Sequence, residues 1–191
     1  DDKPYLTIFG LKNSSESIFE LQFSETNKVF NWPIYTYFGN NEDASGQLCA
    51  PDFIGKDNLV YINTPVVTDV RRKDYIKPKD QRNIYNIFKY TGLLRSETPD
   101  GTNSTYIYRN MASQTPNWIF YRLADVLLMK AEALTEQAMT DNDQVKLGAA
   151  LDLINQIRAR ANAPESTDPF FKYTGDLDAK SIEEFLLAER A

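Results

Sequence analysis

The clearest pattern in the chain is a pair of apolar stripes with helical spacing in its last third. From about Asn117 to Met139, and again from about Gln144 to Asn162, apolar residues recur three and four positions apart, which predicts two amphipathic helices. The first stripe consists of Leu123, Val126, Leu127, Ala131, Leu134 and Ala138, and the second of Leu147, Ala150, Leu151, Ile154, Ile157 and Ala161. Only a short polar turn at residues 140–143 separates the helices, so we expect them to be antiparallel neighbours.

Helix-ending and helix-starting signals follow this hairpin. Asn162 and Pro164 indicate a stop, because Asn tolerates the left-handed conformation and Pro cannot continue a helix. A third helix is predicted from near Ser181, since Ser181 and Glu184 have the spacing of a capping box. The chain ends at Ala191 with no C-cap signal, so we expect it to be a piece of a longer protein.

The front of the chain lacks this regularity. Residues 17–23 alternate between the two sides of an extended chain, which predicts a short half-buried strand with one side formed by Phe19, Leu21 and Phe23. Residues 24–50 are rich in aromatic and turn-forming residues and have no helical period. A long irregular segment of this kind tends to be functional.

The patterns together divide the chain into two parts. Short strands are predicted near residues 59–62 and 84–88. Residues 1–115 then form a loop-rich segment with short strands that we expect to face a ligand. Residues 116–191 form a helical region that is truncated at its C-terminus.

The composition narrows the chemistry that the chain can perform. The chain has no histidine, which excludes His-based acid–base catalysis and His-ligated zinc. The single Cys49 excludes an internal disulfide and a cysteine-rich zinc site. A formal net charge of -6 without a basic stripe argues against a nucleic-acid partner. No apolar run is long enough to cross a bilayer.

The helical hairpin resembles the SusD/RagB family of outer-membrane nutrient-binding lipoproteins. Residues 121–134 read YRLADVLLMKAEAL and residues 150–161 read ALDLINQIRARA, close to the family's two signature helices. Leu123 stands where the family usually has Tyr. Glu189 and Arg190 match the start of a third family element. The segments ESIFELQF at residues 16–23 and DVRR at residues 69–72 are weaker landmarks of the same family.

This resemblance implies both a fold and a function. The fold is mainly α, a scaffold of tetratricopeptide-like helix pairs with a long irregular loop region and a few short strands, and this chain is less than half of it. The function is non-catalytic capture of oligosaccharides at the cell surface and their delivery to a SusC-like TonB-dependent porin. A lipidated N-terminal cysteine outside this chain would hold the protein to the outer membrane. A helical-repeat scaffold for a protein partner and a glycoside hydrolase are the alternatives.

The aromatic segment is the candidate ligand site. Aromatic rings cover the apolar faces of sugars, and amide or carboxylate groups bind the hydroxyls around them. The predicted binding residues are Trp32, Tyr35, Tyr37, Asn31, Asn40 and Asp43. The alternative is that these aromatics only pack the loop. Oxygen ligands at residues 40–43 could bind calcium, but they lack regular spacing, so we expect no metal or other cofactor.

For two further groups of residues, we expect mainly structural roles. A second, weaker aromatic cluster consists of Tyr106, Tyr108, Arg109 and Trp118, in which we expect Trp118 to pack. The polar residues of the helical motif are Arg122, Asp125, Glu132, Asn155, Arg158 and Arg160. We expect this second group to form ion pairs and hydrogen bonds of the scaffold rather than a catalytic site, with Glu132 and Glu136 meeting cations across the hairpin.

Overall fold

The computed structural model describes residues 4–10, 12–38, 70–71, 76–77, 86–99, 104–109, 114–161 and 178–190. The chain divides into two compact units, with a boundary in the sequence between Tyr121 and Arg122. We call the described residues up to 121 the N-terminal unit and those from 122 the helical unit. The division predicted at residues 115 and 116 stays a prediction, and the strand predicted at 59–62, the loop at 40–43, Asn162 and Pro164 lie outside the described residues.

The N-terminal unit combines two short helices with paired strands. Its elements are α1 (Pro4–Gly10), β1 (Ser17–Leu21), α2 (Trp32–Phe38), β2 (Ile76–Lys77), β3 (Asn86–Ile87), β4 (Gly92–Glu97), β5 (Ser104–Tyr108) and β6 (Trp118–Arg122), whose last residue begins the helical unit. The strands pair as β1 with β6, β2 with β3 and β4 with β5, the last two pairs antiparallel. Its buried apolar side chains are Ile8, Phe9, Ile34, Phe88 and Ile119.

The strand predicted at residues 17–23 is present as β1, but it is not half-buried on one side. Phe19 and Leu21 are each about half exposed, and so is Ile18 on the other side. The ring of Phe19 stacks on Phe120 of β6 with centroids 5.3 Å apart. An aromatic pair between neighbouring strands therefore takes the place of burial in a core.

The prediction that the first long helix begins at Asn117 was wrong, because residues 118–122 form β6. Aromatic and β-branched residues fit a paired strand better than a helix, and β1 is available as the partner. The helix begins only at Leu123, where the Asp125 carboxylate accepts a hydrogen bond from the backbone N–H of Arg122 at 2.8 Å. This bond satisfies an N–H group that the start of a helix would leave without a partner.

The segment at residues 24–50, which was expected to be irregular because it has no helical period, contains a short helix, α2, at residues 32–38. A helix of seven residues is too short to display a clear apolar period. Pro33 fits its first turn, where proline's missing N–H costs nothing. The side chain of Asn31 caps this turn by accepting a hydrogen bond from the backbone of Ile34 at 3.4 Å.

The helical unit confirms the predicted hairpin and third helix. Helix α3 (Leu123–Asp141) and helix α4 (Gln144–Arg160) pack against each other, and helix α5 (Ala179–Arg190) packs against both. In the turn, Asn142 adopts the left-handed conformation with φ 54° and ends α3. Asp143 begins α4, and its carboxylate accepts hydrogen bonds from the backbone of Val145 and Lys146.

The apolar stripe assigned to α3 was partly wrong. Leu123 and Val126 are 45% and 40% exposed, whereas the residues that face α4 and α5 are Ala124, Leu128, Ala131, Thr135 and Ala138. Helix α3 is apolar on two sides, so its sequence fits two stripes equally well. The buried stripe is the one rich in small residues, which allow helices to approach closely. The stripe predicted for α4 is buried as expected.

The start of α5 differs from the predicted capping box. The Asp178 carboxylate accepts hydrogen bonds from the backbone N–H of Ser181 at 3.0 Å and from its hydroxyl at 2.7 Å. Asp178 therefore caps the helix, and Ser181 lies inside the first turn. The predicted apolar face is confirmed, since Ile182, Phe185 and Leu186 are buried. In the described chain, no helix combines the length and the apolar character that crossing a membrane requires.

We expect Gly92→Ala to destabilise the N-terminal unit by about 1–3 kcal/mol, the usual cost of overpacking. A Cβ atom at this position would lie 2.5 Å from two ring carbons of Phe88, which is fully buried. Urea unfolding of the variant measures the loss. Gly148→Ala in the interior of α4 is the control, because alanine is favoured over glycine there by about 0.5–1 kcal/mol. Equal stability of the wild type and Gly92→Ala would contradict the packing described for Phe88.

Candidate functional site

Helix α2 is held in place by Asn31, which is fully buried. Its backbone N–H donates to the carbonyl of Gln114 at 2.8 Å, and its side-chain Nδ2 donates to the carbonyl of Pro116 at 3.1 Å. Its Oδ1 accepts the capping hydrogen bond from Ile34. The amide predicted to bind sugar hydroxyls thus has a structural use, joining α2 to the segment at residues 114–117.

The structure describes the side chains of two of the three predicted aromatic binding residues on α2. Trp32 and Tyr37 are each 45% exposed. The ring of Trp32 is tilted by 53° against Phe30, with centroids 5.6 Å apart. The side chain of Tyr35 lies outside the described part of the structure, as do Asn40 and Asp43. The structure therefore places two of the six predicted binding residues, Trp32 and Tyr37, with open aromatic surface on one short helix.

A buried, mostly polar segment at residues 114–117 binds Asn31, the residue that caps this helix. Residues Gln114, Thr115, Pro116 and Asn117 are all buried. Sequence reasoning missed Gln114 and Asn117, because a polar run before an aromatic strand looks like an ordinary loop. One feature of the sequence could have indicated that this run is buried, namely its position directly before the aromatic segment that begins at Trp118.

Asn117 connects this segment to β1. Its Nδ2 donates to the carboxylate of Glu20 at 2.7 Å and to the side-chain oxygen of Gln22 at 2.8 Å, and its Oδ1 accepts from the backbone of Phe23 at 3.0 Å. All three lie more than ninety positions away in the sequence. The hydrogen bonds of one buried amide therefore fix β1 to the start of β6.

The same network perturbs the carboxyl of Glu20. Burial by itself raises the pKa of Glu20. The hydrogen bonds that the carboxylate accepts outweigh burial and hold the pKa below its ordinary value; the donors are Asn117, the backbone of Asn13, Ser17 and Gln22. Glu20 is therefore an ionised structural acceptor at neutral pH.

The members of the second predicted cluster contact residues outside that cluster. Trp118 stacks on Tyr90 with centroids 6.3 Å apart, which agrees with the packing role expected for it. The ring of Tyr108 meets Phe88 edge-on at 5.0 Å. The side chain of Tyr106 lies outside the described part of the structure. The rings of this cluster thus belong mainly to the packing of the N-terminal unit.

Arg109, the charged member of this cluster, has an unusual environment. Its Nη2 donates to the carbonyl of Gly10 at 2.7 Å, at the C-terminal end of α1. Its backbone N–H donates to Thr91, and its carbonyl accepts from Nε2 of Gln114 at 2.8 Å. Desolvation by burial lowers the pKa of Arg109. The guanidinium is thus partly removed from water, with a backbone carbonyl as its hydrogen-bond acceptor.

Four of the six polar residues of the helical motif, Arg122, Asp125, Glu132 and Arg158, form ion pairs. Arg122 binds Asp125 with a nitrogen–oxygen distance of 3.1 Å. Glu132 meets a cation, but the partner is Arg190 of α5 at 2.7 Å rather than a residue of α4. This correction follows from the packing of α5 against α3.

Arg158 of α4 forms a buried ion pair with Glu189 of α5 at 3.1 Å, and its guanidinium lies 4.8 Å from the centre of the Phe185 ring. Both charged side chains are almost completely removed from solvent. Asn155 and Arg160 lie on the same helix, and Oδ1 of Asn155 is buried without a hydrogen-bond partner. The charges of the motif therefore hold the three helices together. The described ranges contain no group of three or more potential metal ligands.

We compared the sequence and the fold of the chain with those of known proteins. The sequence profile of the SusD family (SusD_RagB) matches residues 10–191. The chain is similar to the crystal structure of a SusD superfamily protein from Bacteroides vulgatus ATCC 8482, with 20% sequence identity and a TM-score of 0.52. The match covers 99% of this chain and 39% of that protein, so the chain spans well under half the length of its relative. No curated protein matches the chain.

We expect Glu189→Ala to destabilise the helical unit by about 3–5 kcal/mol, because it leaves the guanidinium of Arg158 buried without its carboxylate. Glu132→Ala removes a partner from the exposed pair with Arg190 and should cost no more than about 1 kcal/mol. Urea unfolding followed by circular dichroism measures both. Similar losses for the two variants would contradict the different roles assigned to the two pairs.

Stability should depend on pH through Glu20. A carboxyl whose pKa is lowered by folding stabilises the protein above its unfolded pKa of about 4.3, and this contribution is lost as the pH falls through the folded pKa. We therefore expect Glu20→Gln to be less stable than the wild type at neutral pH, with a difference that shrinks in acid. Thermal unfolding across the pH range measures it, with Glu25→Gln in the neighbouring exposed turn as the control. A difference that stays constant between pH 7 and 3 would disprove the assignment.

Proposed function

Because the chain belongs to the SusD family, we propose that it is part of a non-catalytic protein that binds oligosaccharides at the bacterial cell surface. The protein passes them to a SusC-like TonB-dependent porin in the outer membrane. A lipid anchor on a cysteine outside this chain holds it there. Since the chain spans 39% of its solved relative, ligand, partner and location are all proposed for the whole protein.

The observation that carries glycan binding is the exposed indole of Trp32. A flat aromatic face that is open to solvent can cover the apolar face of a sugar ring. The backbone that carries this ring is held in place, because the fully buried Asn31 directly precedes α2 and caps it. A binding group that is already ordered loses little conformational entropy when the ligand arrives.

The charged residues of the helical motif support binding rather than catalysis. Hydrolysis of a glycosidic bond needs two carboxyl groups on either side of that bond. Asp125, Glu132 and Glu189 each form an ion pair with an arginine. Their geometry is that of groups that stabilise a helical scaffold.

A protein-binding scaffold is the second candidate function, and one observation favours it. The outer side of α3 exposes the apolar side chains Leu123, Val126 and Met129. Exposed apolar surface of this kind on a helix is typical of contact with another protein or another part of the same protein. Recovery of a soluble protein partner without a porin in affinity purification would favour this alternative.

We expect Trp32→Ala to weaken binding of the recognised oligosaccharide by about tenfold, the loss expected for one aromatic contact of about 1.4 kcal/mol. Calorimetric titration with a panel of oligosaccharides identifies the ligand and measures the change. Trp32→Phe keeps a ring and should retain part of the affinity. Tyr121→Ala, which removes an exposed aromatic of β6, is the matched control and should bind like the wild type. Undiminished binding by Trp32→Ala would remove Trp32 from the site.

A further inference from the structure

Arg109 is a rigidly placed cation next to the segment that supports the candidate sugar site. It directly follows β5, and three hydrogen bonds hold it: its backbone to Thr91 at 2.8 Å, its Nη2 to Gly10 at 2.7 Å, and Gln114 to its carbonyl at 2.8 Å. The backbone of Gln114 in turn accepts the N–H of Asn31, the residue before Trp32. Arg109 and the exposed indole therefore belong to one hydrogen-bonded part of the N-terminal unit.

Within the described part of the chain, no carboxylate is paired with the partly buried guanidinium of Arg109. Other arginines do have a carboxylate partner, among them Arg122, Arg158 and Arg190. Desolvation by burial lowers the pKa of Arg109. Its Nε is buried without a hydrogen-bond partner. Removing a charge from water without a counter-charge is costly, so such sites are usually paired.

Capping of α1 accounts for only part of this arrangement. A cation at the C-terminal end of a helix interacts favourably with the last carbonyls. Yet the bond to Gly10 uses one of the five N–H groups of the guanidinium. With Nε sealed from solvent, the remaining N–H groups lie on the Nη edge of the fork. That edge is the part of arginine that matches a planar oxyanion.

The surroundings of Arg109 support an anionic ligand that also carries hydroxyl groups. Lys89, another cation of the N-terminal unit, places its Nζ 4.4 Å from the centre of the ring of Phe9, the residue before Gly10. Oε1 of Gln114 is an acceptor without a hydrogen-bond partner, on a side chain that is 99% buried, since its residue is 1% exposed. A small rearrangement of this amide would let it accept a hydrogen bond from a ligand hydroxyl.

We propose that Arg109 is the anion-binding residue of the glycan site, and that the ligand is an acidic oligosaccharide. Its negative group is the carboxylate of a uronic acid or a sulfate ester, either of which the guanidinium fork can bind. This inference rests on the proposed glycan-binding function. The net charge of -6 does not prevent the binding of an anionic ligand at this site, because salt screens exposed charges that lie more than about 8 Å away at physiological ionic strength.

Calorimetric titration with matched ligand pairs tests this inference. The pairs are polygalacturonate oligomers with their carboxyl-reduced counterparts, and dextran sulfate with dextran. We expect the acidic member of at least one pair to bind about tenfold or more tighter than its neutral counterpart, equivalent to about 1.4 kcal/mol. The pair that shows the preference identifies the anionic group. Arg109→Gln should abolish the preference, whereas Lys130→Gln, which removes one exposed lysine of α3, should keep it.

The outcomes separate this inference from the function on which it rests. Equal binding of acidic and neutral members, binding of neutral oligosaccharides alone, or a preference that survives in Arg109→Gln would overturn the inference and leave glycan binding intact. Binding of no oligosaccharide, acidic or neutral, would overturn both. If Arg109→Gln does not fold, Arg109→Lys decides, because it keeps the charge but loses the fork: an undiminished preference for the acidic member would contradict a bidentate contact.

Discussion

The buried side chain of Asn31 is the contact on which the candidate site depends. Its amide joins the start of α2 to Pro116, 85 positions away in the sequence, and also caps the helix. A seven-residue helix is unstable by itself, so its orientation is set by this tertiary hydrogen bond. Because a buried amide without its partners is costly, the structure keeps α2 where Asn31 holds it. The exposed ring of Trp32 follows directly from that constraint.

Two arginines, Arg158 buried and Arg109 partly buried, differ in the partners of their guanidinium groups. Arg158 has a complete environment, with the Glu189 carboxylate at 3.1 Å and the Phe185 ring at 4.8 Å. It serves the scaffold, since its partners lie on a neighbouring helix. Arg109 has a carbonyl oxygen in place of a carboxylate. The guanidinium is neutralised in the helical unit, whereas in the N-terminal unit it is left to attract an anion.

The sequence predicted those parts of the fold in which local pattern and tertiary packing agree. The hairpin of α3 and α4 and the apolar face of α5 follow from spacing alone, and the motif at residues 121–134 indicated the family that the profile match shows. The start at Leu123 and the exposed side of α3 depended on which neighbours are present, whereas the cap at Asp178 is local, and both Asp178 and Ser181 are suitable capping residues. For the site, an aromatic segment could be recognised, but the structural use of Asn31 and the missing counter-ion of Arg109 could not. Both depend on contacts between residues far apart in the sequence.

The fluorescence of Trp32 gives the most direct test of glycan contact at α2. The chain has two tryptophans, so Trp118→Phe leaves Trp32 as the only indole. The emission of this half-exposed ring should shift to shorter wavelength when a sugar ring covers it, in proportion to the binding measured by calorimetry. Saturating binding of an oligosaccharide with no change in the emission of Trp32 would contradict the account.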